Sequence, residues 1–422
     1  MSSVKLTHIQ HKSNISFGFA MNIKRRIREQ FWLLDKETQD KQRCVDVLED
    51  VVGFVRTCCR NIGGDVLDSN FRINFRTILL ILSMNSYFIC LGYSVYCYWG
   101  SWFEILEALS LAGVAVQGMV KLNLALSQKE YFQSSLGRLQ LMYERNVHHP
   151  RNNRSLVSCG GLIRAAFIIF ALFYFLGGVG FCLLPLYTFA RYQQRTMILA
   201  VLVPGFDPET HFGFVATSAY HVFLIFMGTY GSLAADLGMM LITFNIIGIV
   251  DIFKNLLKEL DDMLELDDFN ERKIHESVLQ VCVAHKEVIA YEEALDKSYR
   301  RVVFVQVMTS VAILSTTLFV FYMTMQIANL LFMLAAILQL LEFCILGVTI
   351  TIKNDQIVRA LYDIRWYKLP VKQQRILSFI LFKSQNAVEM TIGGLAELNM
   401  STFVEIVKTI YTYFAMMIQF IH

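Results

Sequence analysis

Thr409, Thr412, Met416 and Gln419 recur every three or four positions near the carboxyl end, so they share one face of a helix, with Ile410, Phe414, Met417 and Ile421 on the other. On an otherwise apolar helix such a stripe has two chemical uses. It can wet one wall of a water-filled path, where neutral oxygens conduct ions with little selectivity and a bulky apolar residue closes the path by dewetting. Alternatively, Thr412 and Gln419 can hydrogen-bond neighbouring helices, as polar residues within membranes do. The residues by themselves leave both open. His221 and Glu342 are ionisable groups set well inside apolar segments, which makes each a functional candidate. Glu342 needs a partner such as Gln339 or a threonine on the preceding span, and it serves either gating and coupling or a plain interhelical hydrogen bond. Asp236, at the inner edge of its span, is expected to be solvated. Enzyme chemistry finds no support. The nine histidines lack HExxH or comparable metal spacing, and there is no GxSxG or Walker loop, so no catalytic set, metal or cofactor is expected.

The elements that position these residues are membrane spans. The chain has 422 residues, 55% of them hydrophobic, and only five prolines. Its mean hydropathy is +0.46, and the apolar residues fall in long runs. Runs of about 18 or more apolar residues are read as transmembrane helices. Seven are expected, near 77–99, 105–124, 165–190, from 215 to about 236, 302–327, 330–352 and 403–421. Residues 1–30 hold Lys24, Arg25, Arg26 and Arg28 but no apolar core, so no cleavable signal peptide is expected and the first span directs insertion. A net charge of +3 is too small to imply nucleic acid. Among the nine cysteines, Cys97 and Cys182 lie near outer helix ends and are read as buried thiols rather than a disulfide.

Lysine and arginine concentrate in 1–76, 125–163, 248–300 and 353–400, whereas 100–103 and the turn between spans five and six have none. By the positive-inside rule the N-terminus is cytoplasmic and the C-terminus extracellular. That orientation is the reverse of a G-protein-coupled receptor. Two cytosolic stretches carry an amphipathic stripe: Met240, Ile247, Val250, Phe253, Leu256, Leu257, Leu260 and Leu264, then Val278, Val281, Val288, Ile289 and Leu295. Such stripes must be buried, either within one subunit or in a cytosolic anchor bundle that holds several together. The expected fold is therefore an all-α membrane protein of seven transmembrane helices whose ends extend into that bundle. It divides into a cytoplasmic region 1–76, spans one to four over 77–247, a cytosolic helical loop 248–300, spans five and six over 301–352, a second helical loop 353–400, and the last helix 401–422.

The block after span six resembles the insect odorant receptors. It holds Ala360, Leu361, Tyr362, Trp366 and Pro370 as an ALY…W…P element, then Gln374-Arg375, a Gly-Gly break, a Leu-x-Met-x-Thr-Phe lead-in and a closing Thr-Tyr-Phe helix. The resemblance is specific over about the last 70 residues; upstream it rests on topology and on Val203-Pro204 before span four. Thr412–Phe420 also fits the ending of the related insect gustatory receptors, so a gustatory receptor acting as a homomeric ligand-gated cation channel is the alternative.

The odorant receptor resemblance implies the ligand-binding subunit of a heterotetrameric, odorant-gated, nonselective cation channel formed with a co-receptor. Its setting would be the plasma membrane of sensory neuron dendrites, and no G protein would be required. It further implies a pore lined by Thr409, Thr412, Met416 and Gln419, with Met416 at the gate where the family has valine. A small, volatile, apolar ligand would sit in the outer half of the bundle. At that depth lie Leu106 and Leu109, then Phe175, Phe181 and Leu184, then Tyr220, Phe223, Leu224 and Met227, and finally Phe332. A secondary transporter would show internal repeats and Gly/Pro-broken helices. The chain has no second copy of its C-terminal block.

Overall fold

A computed structural model describes residues 43–193, 196–265 and 270–419, and elements are numbered over those residues. They hold twelve α-helices and one two-stranded hairpin. Span one is α2 (Phe75–Cys97), preceded by α1 (Cys44–Asn61). The second span is α3 (Trp102–Ser110) with α4 (Ala112–Ser127), followed by α5 (Lys129–Asn146). Span three is α6 (Pro150–Tyr192); span four is α7 (His211–Phe244), continued by α8 (Ile246–Glu265). Spans five and six are α9 (Glu271–Thr324) and α10 (Ile327–Asp363). After α11 (Val371–Gln385) and the hairpin β1 (Thr391–Ile392) and β2 (Ala396–Glu397), the chain closes with α12 (Met400–Gln419) as span seven. Six of these spans are long and apolar enough to cross a membrane by length and composition. The described part of α12 carries Glu405, Lys408 and three threonines and falls below the other six.

Local signals set the ends of the helices. Asn74 accepts from Thr77 N at 3.1 Å while Thr77 Oγ1 accepts from Asn74 N at 3.3 Å, a reciprocal capping box at the start of α2. Gly63 makes the turn before it at φ +78°, where a Cβ would strike Asn74, Arg76 and Thr77. Pro150 opens α6, where its missing N–H costs nothing. Thr210 caps α7 and Asn270 caps α9.

The spans depart from expectation in three places. Span two breaks at Leu111. Span four does not run on unbroken into its cytosolic stripe: the turn falls at Asn245, whose Nδ2 donates to Leu241 O at 2.6 Å and whose Oδ1 accepts from Tyr143 at 2.9 Å. The stretch 353–400 is not wholly helical, because the Gly393-Gly394 break closes a β-hairpin. Cys97 is exposed and Cys182 half-buried, and neither is in a disulfide.

α9 has 54 residues. At ~1.5 Å per residue it is roughly 80 Å long, against about 30 Å of hydrocarbon. Its first half, to about residue 300, therefore lies in the cytosolic base. There Ile274, Val278, Val281, Val288 and Leu295 bury themselves with Val250, Phe253, Leu257, Leu260 and Leu264 of α8. The amphipathic stripes are thus covered within the chain itself. Arg365 joins Asp261 at 2.8 Å, and Lys353 joins Asp251 at 2.9 Å, tying α10 and the segment after it to α8.

Two buried titratable groups in this base give it a pH dependence. Burial raises the Glu292 carboxyl from its ordinary 4.5 to about 8. His285 donates to or accepts from Ser384 Oγ at 2.7 Å, and burial, then Lys383, lowers it from 6.5 to about 4. A raised carboxyl stabilises the fold at low pH and loses that contribution as pH climbs to the folded value; a lowered histidine loses its contribution as pH falls below 6.5. Between 4.5 and 6.5 the two oppose each other, and from 6.5 to 8 only Glu292 acts. The melting temperature of the detergent-solubilised protein is expected to fall by a few degrees across that upper window. Glu292→Gln should flatten the decline, and an equal slope in the variant would exclude this carboxyl as its source.

Candidate ligand cavity and the exposed last helix

A cavity of about 240 Å³ opens between the spans. Its wall is mostly aliphatic and aromatic. α2 gives Leu80, Ser83, Met84 and Tyr87, and α4 with the residue before it gives Leu111, Val114, Ala115 and Gly118. From α6 come Phe173, Tyr174, Gly177, Gly178 and Phe181, and from α7 Leu224, Met227, Gly228, Thr229 and Ser232. Phe332, Ala335, Ala336 and Gln339 of α10 complete it, with Phe181 and Phe332 meeting edge to face at 5.9 Å. Small residues at 177, 178, 228, 335 and 336 leave the room that the large ones enclose.

The outer loop between α6 and α7 covers this space through Leu199. His221 is completely buried and fastens that loop: Leu199 N donates to its Nδ1 at 3.4 Å, and its Nε2 lies 2.9 Å from Val201 O. One nitrogen accepts and the other donates, which fixes the neutral tautomer. Leu202 N adds a bond to Ser94 Oγ at 2.7 Å. The histidine's place in the span is thus a tether for the cover.

Beneath the cavity lies a group of polar residues that pattern reading missed. Lys121 Nζ of α4 stands 2.6 Å from Asp236 Oδ1 of α7, with side chains 5% and 3% exposed. Tyr174 of α6 donates its hydroxyl to Asp236 Oδ2 at 2.5 Å and accepts from Gln339 Nε2 of α10 at 3.3 Å. Lys121 also sits 5.2 Å from the centre of the Phe343 ring. Asp236 is therefore not solvated; the ammonium on a neighbouring span keeps it inside. Glu342 is 1% exposed, and neither oxygen has a hydrogen-bond partner among the described residues. Gln339, expected to serve Glu342, turns its amide to Tyr174 instead. One lysine and one aspartate at matching depth on two spans was the available signal.

Of the residues placed at ligand depth by sequence, Phe181, Leu224, Met227 and Phe332 line the cavity together. Leu106, Leu109, Phe175, Tyr220 and Phe223 do not. Spacing explains the difference: residues 174, 177, 178 and 181 make one face of α6, so Phe175 turns outward and is 65% exposed. Phe223 is likewise off the inward face of α7, and Leu106 and Leu109 belong to the separate outer helix α3. Tyr220 bonds to Ser86 Oγ at 2.8 Å in a second, outer apolar cluster. The side chain of Leu184 lies outside the described residues.

α12 packs on the bundle through Ile406 and Ile410, and Phe414 meets Tyr322 of α9 edge to face at 6.1 Å. Thr409, Thr412, Met416 and Gln419 share the uncovered face. The threonine hydroxyls donate to Glu405 O at 2.8 Å and Lys408 O at 2.9 Å of their own helix. Among the described residues none of the four side chains hydrogen-bonds another helix.

Seven helical spans around an apolar cavity, with a polar-faced helix left uncovered among the described residues, make this a multi-pass membrane protein in fold. Residues 102–411 match the family described as 7tm Odorant receptor, and the chain belongs to that family. It is 22% identical over 389 residues to putative odorant receptor 83c of Drosophila melanogaster, covering 86% of this chain and 95% of that protein. The insect olfactory receptor OR5 from Machilis hrabei has the same fold, both alone and in complex with eugenol. Each comparison has a TM-score of 0.70 at 15% identity, covering 87% of this chain and 99% of the other.

Proposed function

We propose that this odorant receptor is the ligand-binding subunit of a heterotetrameric, nonselective cation channel, assembled with a co-receptor in the plasma membrane of sensory neuron dendrites. The observation that carries the reading is the pairing of an apolar cavity between the spans with a helix whose polar stripe has no cover among the described residues. A largely apolar, aromatic-lined space with few polar groups suits a small volatile molecule. Thr409, Thr412, Met416 and Gln419 would face the ion path, and cations would be the permeating species. Coexpression with a co-receptor and a broad odorant panel should give cation currents within milliseconds and without added nucleotide. A strict need for G protein would overturn the channel reading, and current from this chain alone would point to a homomer. Met416 is the bulky apolar residue of the stripe, so Met416→Ala is expected to raise resting current several-fold; an unchanged leak would remove it as the gate.

A further inference from the structure

The polar contacts below the cavity fix the direction of the two hydrogen bonds that lead up to Gln339 on its floor. Lys121 Nζ forms an ion pair with Asp236 Oδ1 at 2.6 Å. Tyr174 has a single O–H, and that proton goes to Asp236 at 2.5 Å. Its oxygen can therefore only accept from Gln339, which must present its amide nitrogen at 3.3 Å. That choice is forced by the chain of donors and acceptors, not by the shape of the amide. The Gln339 carbonyl oxygen is left over on a residue that lines the cavity, with no partner among the described residues. Ser83, also on the floor, spends its proton on Leu80 O at 2.8 Å and has only acceptor capacity left.

From this we infer that the cavity selects ligands with an apolar body and one hydroxyl hydrogen-bond donor, an alcohol or a phenol, whose proton is received by the Gln339 carbonyl. The inference rests on the odorant reading above and adds the ligand's polar group. A ketone or ether of the same skeleton has no proton for the Gln339 oxygen. It can only accept, as from the Tyr87 hydroxyl, unpartnered among the described residues, or those of Thr229 and Ser232 on the same wall. A ligand hydroxyl pairs with the Gln339 oxygen and can still accept. A site with a buried polar group discriminates against the analogue that cannot pair with it, here by about tenfold or more for one hydrogen bond.

The test is a dose–response series in cells coexpressing the co-receptor, with six- to ten-carbon alcohols, their methyl ethers, the matching ketones and the alkanes. Alcohols are expected to act at about tenfold lower concentration than their ethers and ketones. Gln339→Met keeps the bulk and removes the acceptor, so it should erase that gap while responses to the alkanes persist. Tyr174→Phe frees the Gln339 amide to turn its N–H toward the cavity, so it should improve the ketones relative to the alcohols. Surface labelling confirms that each variant reaches the membrane. Evoked currents with no preference for the hydroxyl, or a preference that survives Gln339→Met, would overturn this inference alone. No evoked current to any compound from surface-expressed wild-type protein would overturn the odorant reading and this inference with it.

Discussion

Lys121→Met is expected to clear most of the protein from the cell surface. The substitution strands Asp236, whose carboxylate lies 2.6 Å from the lost ammonium and is 3% exposed. Tyr174 still donates to it, but one hydroxyl does not replace a full charge in a membrane interior. Removing one partner of a buried ion pair costs about 3–5 kcal/mol. Set against a total folding stability of roughly 5–15 kcal/mol, that is enough to send much of the chain to degradation. Surface biotinylation and the melting temperature of solubilised protein measure the effect. The double substitution Lys121→Met, Asp236→Leu removes both charges together and should restore most of the surface population, because apolar replacement of a whole buried pair is often neutral. It will not restore all of it, since Tyr174 and Gln339 lose the acceptor that orders them. If Lys121→Met reached the surface at wild-type level, the pair would not be what holds α4 to α7.

That pair also marks the limit of pattern reading. Hydrophobic run length is a property of the chain alone, so the spans were legible, and so was the stripe later buried between α8 and α9. The common face of Thr409, Thr412, Met416 and Gln419 followed from helix periodicity without any tertiary knowledge. Rotation of each helix about its axis did not. Phe175 and Phe181 look alike in a list of aromatic residues on one span, yet only Phe181 joins Tyr174, Gly177 and Gly178 on the inward face. Asp236 and Lys121 are distant in sequence, and an isolated acid at a helix end reads as solvated until its partner is seen. The hairpin at 391–397 has strands of two residues each, too short to show an alternation. What makes it is tertiary contact. Thr391 gives both its N–H and its hydroxyl to Asp296 Oδ1, at 2.8 and 2.6 Å, and Gly393 N bonds to Arg300 O at 3.1 Å.

Gly347→Ala should disable the receptor through this hairpin. A Cβ at position 347 of α10 would lie 2.0 Å from Leu398 O and 3.0 Å from Leu398 C, and the backbone carbonyl cannot swing away as a flexible side chain could. Leu398 is 1% exposed, and its N–H is held by Met390 O at 2.8 Å. The next residue, Asn399, caps α12 by accepting from Thr402 N at 3.0 Å. One methyl group thus pushes on the segment that sets the base of the last helix, while Asp296 and Arg300 of α9 hold that segment from the other side. Overpacking of this kind costs typically about 1–3 kcal/mol, and more where backbone must move. Gly180→Ala is the control. Its Cβ would meet nothing within 4 Å, and alanine is favoured over glycine in a helix by about 1 kcal/mol. Gly347→Ala should lower the melting temperature and abolish ligand-evoked current, whereas Gly180→Ala leaves current intact and holds or raises the melting temperature. Equal behaviour of the two variants would mean that α10 and the hairpin do not press on each other, and that the last helix takes its position from some other contact.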